Sequence, residues 1–173
     1  MTQAPGNDRQ PGLSTNGTVR RQVLDMSEST FEIELSYVDG TAHEHVFRVA
    51  FLRCTGRVLL PYPSVTGLEF ADENHTRVAE FQTRYLVSEP RDEFVLESGA
   101  RIAFDITAYV NVEPTEDRRW VIPIPEGEYD VTYVYTADAD APWHDYLAKQ
   151  SRFAALTPPW GGTVRSNSIR LSM

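Results

Sequence analysis

Between residues 127 and 136 the chain switches side-chain character at every step. Tyr129, Val131, Tyr133 and Tyr135 fall on one side, and Glu128, Asp130 and Thr132 on the other. A two-residue period in β-branched and aromatic types predicts a strand with one face buried. Pro125-Glu126-Gly127 supplies a turn before it. This strand is expected to be central in an antiparallel sheet.

The same alternation recurs along most of the chain. Residues 31–38 place Phe31, Ile33, Leu35 and Tyr37 on one face, and Asp39-Gly40 then predicts a tight turn. Residues 41–53 follow, with Phe47, Val49 and Phe51 inward and Arg48 and Arg53 outward. Val58-Leu59-Leu60 runs into Pro61 and Pro63, which restricts it to an edge or a crossover. Strands are also expected at 65–70, 77–87 and 94–96. The cleanest alternation is Ile102, Phe104, Ile106, Ala108, Val110 and Val112, with Arg101, Asp105, Thr107 and Asn111 toward solvent. Residues 160–173 form the last strand. There Val164 differs in parity from Ile169 and Leu171, so Ser166-Asn167-Ser168 should hold a bulge or a kink.

One segment breaks the period. Residues 142–156 carry Trp143, Tyr146, Leu147, Gln150 and Ala154 along one helical stripe, after a candidate N-cap at Asp140. Pro158-Pro159 would end that helix. Residues 1–28 are polar and rich in Gly, Pro, Ser and Asn, the composition of a flexible tail that cannot bury enough surface to order itself. Residues 29–173 are left as a single domain.

Composition narrows the partners. The formal charge of −9 disfavours nucleic acid and anionic membrane, both of which it would repel. No apolar run approaches the roughly 20 residues of a membrane helix, and no basic-then-apolar leader opens the chain. A cytoplasmic, soluble protein is the expectation. Cys54 is the sole cysteine and Lys149 the sole lysine, so no intramolecular disulfide can form.

Candidate chemistry is sparse. His43-Glu44-His45 sets two imidazoles on one side of a strand, but nothing nominates the further ligands a metal needs, and beside a turn the trio reads as exposed and solvated. Asp138, Asp140 and Asp145 lack the spacing of a calcium loop. Cys54, at a strand end, reads as packing. No nucleophile elbow, zinc-protease motif or phosphate loop is present. No catalytic residue, metal ligand or cofactor is assigned.

The helical insert concentrates aromatic and basic side chains, as interaction hot spots do. Trp143, His144, Tyr146, Lys149, Arg152 and Trp160 are the candidate binding residues. The competing assignment makes the Trp143, Tyr146 and Leu147 stripe a cap on one open end of the core. Self-association is compatible with the pattern, because Pro61 and Pro63 protect only one sheet edge.

Gly127-x-Tyr129-x-Val131-x-Tyr133, followed by Trp160-x-Gly162-x-Val164-x-Ser166-Asn167-x-Ile169, resembles the last two strands of immunoglobulin-like sandwich domains common in bacterial proteins. Leu96-x-Ser98-Gly99 resembles their usual hairpin entry, and the match extends over about residues 46–172. The resemblance implies an all-β, immunoglobulin-like antiparallel β-sandwich, here with one short helical insert before the last strand. It implies a fold more than an activity. The expected function is a non-catalytic binding module with a protein partner. A proteinase-inhibitor-like domain and an enzyme with a loop-built site are the alternatives.

Overall fold

A computed structural model describes residues 31–84, 92–137 and 149–173; the tail expected at 1–28 lies outside these. The described chain is all-β, in three sheets. The first has the order β1 (Glu32–Gly40), β2 (Glu44–Leu52), β6 (Ile102–Val110), β7 (Val121–Ile122). The second pairs β3 (Val58–Pro61) with β5 (Glu93–Leu96). The third has β8 (Glu128–Ala137) between β4 (Leu68–Ala71) and β9 (Gly162–Ser172), so the tyrosine-rich strand is central as its period predicts.

All three sheets close on one apolar cluster. Phe51 of β2 is its hub. Its ring meets Phe31 at 5.7 Å, Phe94 at 5.3 Å, Phe104 at 6.0 Å and Tyr135 at 5.0 Å. Most of these contacts are edge-on, the arrangement the ring quadrupole favours. Phe47 against Phe70 joins the first sheet to the third. Cys54 packs in the same core and is buried.

Three tyrosines of β8 bury their rings here, and each hydroxyl donates to a backbone carbonyl. Tyr129 Oη reaches the Pro125 oxygen at 2.7 Å, Tyr133 Oη the Ser64 oxygen at 2.9 Å, and Tyr135 Oη the Pro61 oxygen at 2.6 Å. Phenylalanine would fill the same space but leave those carbonyls without this donor. The bonds tie β8 to its own entry turn, to the end of β3 and to the chain between β3 and β4.

The bulge expected near residue 167 is present. Thr132 pairs with Ser168 and Val134 with Arg165, so Ser166 and Asn167 together face Tyr133. Ser166 Oγ accepts from the Tyr133 amide at 2.9 Å and replaces the lost ladder bond. The extra residue swings Asn167 toward β1. There its Oδ1 accepts from the Leu35 amide (2.8 Å) and its Nδ2 donates to the Leu35 carbonyl (3.0 Å). One carboxamide thus serves as the neighbouring strand for an otherwise unpaired edge.

Five expectations are corrected. The strand expected at 65–70 begins as a 3-10 turn, Val65–Gly67, capped by the Ser64 hydroxyl, and only β4 is extended. Residues 77–84 make no strand among the described residues, only the bridges Ala71 to Arg77 and Gln82 to Val121. Ala79 and Phe81 nonetheless pack on the core as their alternation requires.

The pairing is not wholly antiparallel, because β7 runs parallel to β6. The strand expected to reach Val112 stops at Val110, where Asn111 adopts φ 53°. Its side chain accepts from the Ile124 amide at 2.9 Å and donates to the Ile124 carbonyl at 2.6 Å. That bracket holds the returning segment beside β6. Lastly, the helix expected over 142–156 ends at residue 150 and turns follow; residues 149–150 are helical, and 142–148 lie outside the described residues. Ser151 Oγ accepts from the Phe153 amide at 3.0 Å, a local bond that competes with helix continuation.

Candidate interaction surface

The excursion between β8 and β9 is the segment singled out above. Trp143, His144 and Tyr146 lie outside the described residues. The part described, 149–160, runs along the outer edge of β3. Ser151 Oγ donates to the Glu93 carboxylate at 2.9 Å, and Thr157 Oγ1 donates to the Arg57 carbonyl at 3.0 Å. The Trp160 amide donates to the Leu59 carbonyl at 3.0 Å, and Pro159 forms a parallel bridge to Leu59. These bonds fix the excursion at both ends of the β3–β5 ribbon.

Trp160 turns inward. Its ring stacks on Tyr135 at 6.1 Å and meets the edge of Phe31 at 4.9 Å, against the core. Gly162, at φ 152°, has no room for a side chain: a Cβ there would stand 2.7 Å from the Trp160 ring. Of the nominated residues that the structure describes, Trp160 is therefore packed, while Lys149 and Arg152 are exposed. The Arg152 guanidinium lies 4.6 Å over the Phe153 ring, which limits its freedom without neutralising it.

Sequence reasoning passed over two exposed apolar side chains. Leu156 is 56% exposed at the end of the same turns, next to Thr157 at the start of β3. Tyr62 is 46% exposed just past the other end of β3, where its amide donates to the Asp92 carbonyl. The Tyr62 ring lies 5.1 Å from Phe104 and 5.7 Å from Phe94, so one face is packed and the other free. Leu156 lay off the helical stripe, and Tyr62 sat between two prolines with no period to place it.

The histidine pair does not behave as its spacing predicts. His43 is exposed, with Nδ1 3.2 Å from the Val110 carbonyl oxygen. His45, expected in solvent, is 5% exposed and shares the core face of β2 with Phe47. Its Nδ1 lies 3.3 Å from the Tyr37 hydroxyl, and its buried Nε2 has no hydrogen-bond partner among the described residues. Burial lowers its pKa from the ordinary histidine value. Among the described residues no three His, Cys, Asp or Glu side chains gather as metal ligands would.

Elsewhere several surface charges are paired. A groove of about 550 Å³ opens between the starts of β1 and β9, walled by Glu32, Glu34, Arg53 and Arg165. Glu32 pairs with Arg53, Glu34 with Arg101 and Arg165 with Glu69, so the groove has little unbalanced charge for a ligand. On the outer face of the first sheet Arg48 grips Asp105 through two bonds of 2.7 and 2.8 Å. The pairing lowers the Asp105 pKa and raises that of Arg48. No helix among the described residues is long and apolar enough to cross a membrane.

No family model, no curated protein and no solved structure matches this chain.

Proposed function

We propose that this protein is a non-catalytic binding module on an immunoglobulin-like scaffold, and that the 149–156 excursion is its protein-facing surface. The scaffold reading is supported by strand order. The β4-β8-β9 sheet has the form of the three-stranded sheet of that fold, and β1-β2-β6 the form of three adjacent strands of the other. Tyr129 supports it too, since a tyrosine near the start of the corresponding strand bonds back to the chain just upstream.

One observation carries the functional reading. Lys149, Arg152 and Leu156 face solvent together on a segment whose own bonds go to β3 and β5. Binding residues are commonly held on loops that a rigid scaffold positions. A basic pair near the exposed Leu156 favours an acidic, partly apolar patch on a protein partner, a short-range attraction that works against the long-range repulsion of the chain's net charge of −9.

The sole lysine makes the test direct. Acylating the native protein with an amine reagent modifies Lys149 and the terminal amine only. Protein captured from native lysate by the wild-type chain is expected to protect Lys149 from acylation while the terminal amine still reacts. The double substitution R152E/L156D should abolish capture and leave the melting temperature unchanged. Capture that persists in the double variant, with Lys149 fully reactive, would place the binding surface elsewhere.

A further inference from the structure

We propose that the β1–β2 hairpin end, residues 37–45, is an acid-released latch in which His45 is the trigger and Tyr37 the cover. The geometry is that of a polar ring enclosed with half its bonding capacity unmet. Across the strands His45 faces Gly40 on β1 and Ala108 on β6. Phe47, two residues along, is fully buried. The Tyr37 ring closes over this end, with centroids 6.1 Å from His45 and 5.7 Å from Phe47.

Gly40 permits the closure. A Cβ at that position would collide with the Tyr37 hydroxyl and stand 2.9 Å from His45 Nδ1.

A neutral imidazole has one N–H and one lone pair. The Tyr37 hydroxyl can donate to Nδ1 or accept from it, so either tautomer satisfies that nitrogen and leaves Nε2 unmet. An imidazolium carries N–H on both nitrogens. The second would have no acceptor, and the charge would sit among Phe47, Ala108 and Val110. At this end of the packed strands the titratable side chains are Tyr37 and Asp39 of β1, His43 and Glu44 at the entry to β2, and Tyr109 of β6; Glu32 and Glu34 of β1 and the Arg48–Asp105 pair of β2 and β6 lie further along. Among the described residues no carboxylate forms an ion pair with the ring. Burial is the cause of the lowered His45 pKa.

The sign follows from linkage. In the unfolded or opened hairpin His45 titrates near its ordinary value, about 6.5. Closed, it titrates lower, so the open form binds more protons between the two values. Closure is fully favoured above about pH 6.5 and weakens as pH falls through the closed-state pKa.

The opening has a natural limit. Residues 36–43 are exposed, and Val38 interrupts the register. At Leu35, Asn167 clamps β1 to β9. Protonation therefore frees the strand beyond the clamp and not the domain.

Hydrogen exchange on the full chain tests this, at about pH 7.5 and about pH 5, with intrinsic rates corrected. Amides 37–46 are expected to lose protection at the lower pH while those of β8 keep theirs, and His45→Gln should remove the difference. Unchanged protection in the wild type, the same loss in His45→Gln, or equal loss across β8 would overturn the latch. If His45→Gln does not fold, the wild-type ring decides by NMR titration: a His45 pKa at or above the ordinary value refutes the proposal, and one below it supports it.

Discussion

Phe51→Ala is expected to destabilise the fold by about 3–5 kcal/mol, the range for deleting a fully buried aromatic ring. Phe51 has no exposed surface and touches rings from all three sheets. The cavity would open where those sheets converge and could collapse only by moving more than one of them. Domains of this size have about 5–15 kcal/mol in total, so the variant should approach the limit of folding. Phe104→Ala removes a half-buried ring from the periphery of the same cluster, and should cost clearly less. Urea titration of both variants supplies the comparison; equal losses would mean that Phe51 is not the hub.

The second large effect is expected at Asn167. Replacing it by Ala removes both bonds to Leu35, whose side chain is buried and whose edge pairs with no other strand among the described residues. Each bond contributes about 0.5–1.5 kcal/mol, and leaving the backbone groups unmet adds to the loss. A total of about 2–3 kcal/mol follows. Asn167→Asp distinguishes this bracket from a mere turn preference. Aspartate keeps the acceptor for the Leu35 amide but sets a second oxygen against the Leu35 carbonyl. It should therefore be as harmful as alanine at neutral pH and partly recover when the carboxyl is protonated. An aspartate variant as stable as the wild type would remove the bracket from the account.

Much of this architecture was legible in the residues. Side chains two apart on a strand share a face wherever the strand goes. Tyr129, Val131, Tyr133 and Tyr135 could thus be assigned inward without a partner in view, and all four are buried. The parity change between Val164 and Ile169 marked the bulge for the same local reason. Residues 77–84 show the limit. Their alternation placed Ala79 and Phe81 correctly on the core, yet among the described residues the segment pairs with its neighbours only through single bridges at Arg77 and Gln82, because alternation sets a face and not a partner strand.

The candidate surface was less legible. Lys149 and Arg152 were singled out as basic members of the helical insert, off its apolar stripe, but the described chain leaves the helix at Ser151. Arg152 is exposed on turns anchored through Ser151 to β5 and through Thr157 to the start of β3. Trp160 carried the same aromatic signal as the hot-spot candidates and is spent on packing. Composition ranks a residue as able to bind; it does not say which side of the backbone meets solvent once a glycine such as Gly162 lets the ring fold back.

By itself, the order of residues determined the all-β class, the central tyrosine strand, the inward faces and the site of the bulge, because each follows from steric alternation over a few neighbouring positions. Tertiary structure alone decided the parallel β7, the carboxamide brackets of Asn111 and Asn167, and the enclosure of His45. Those depend on which backbone groups and walls arrive from distant parts of the chain, and on whether water is left between them.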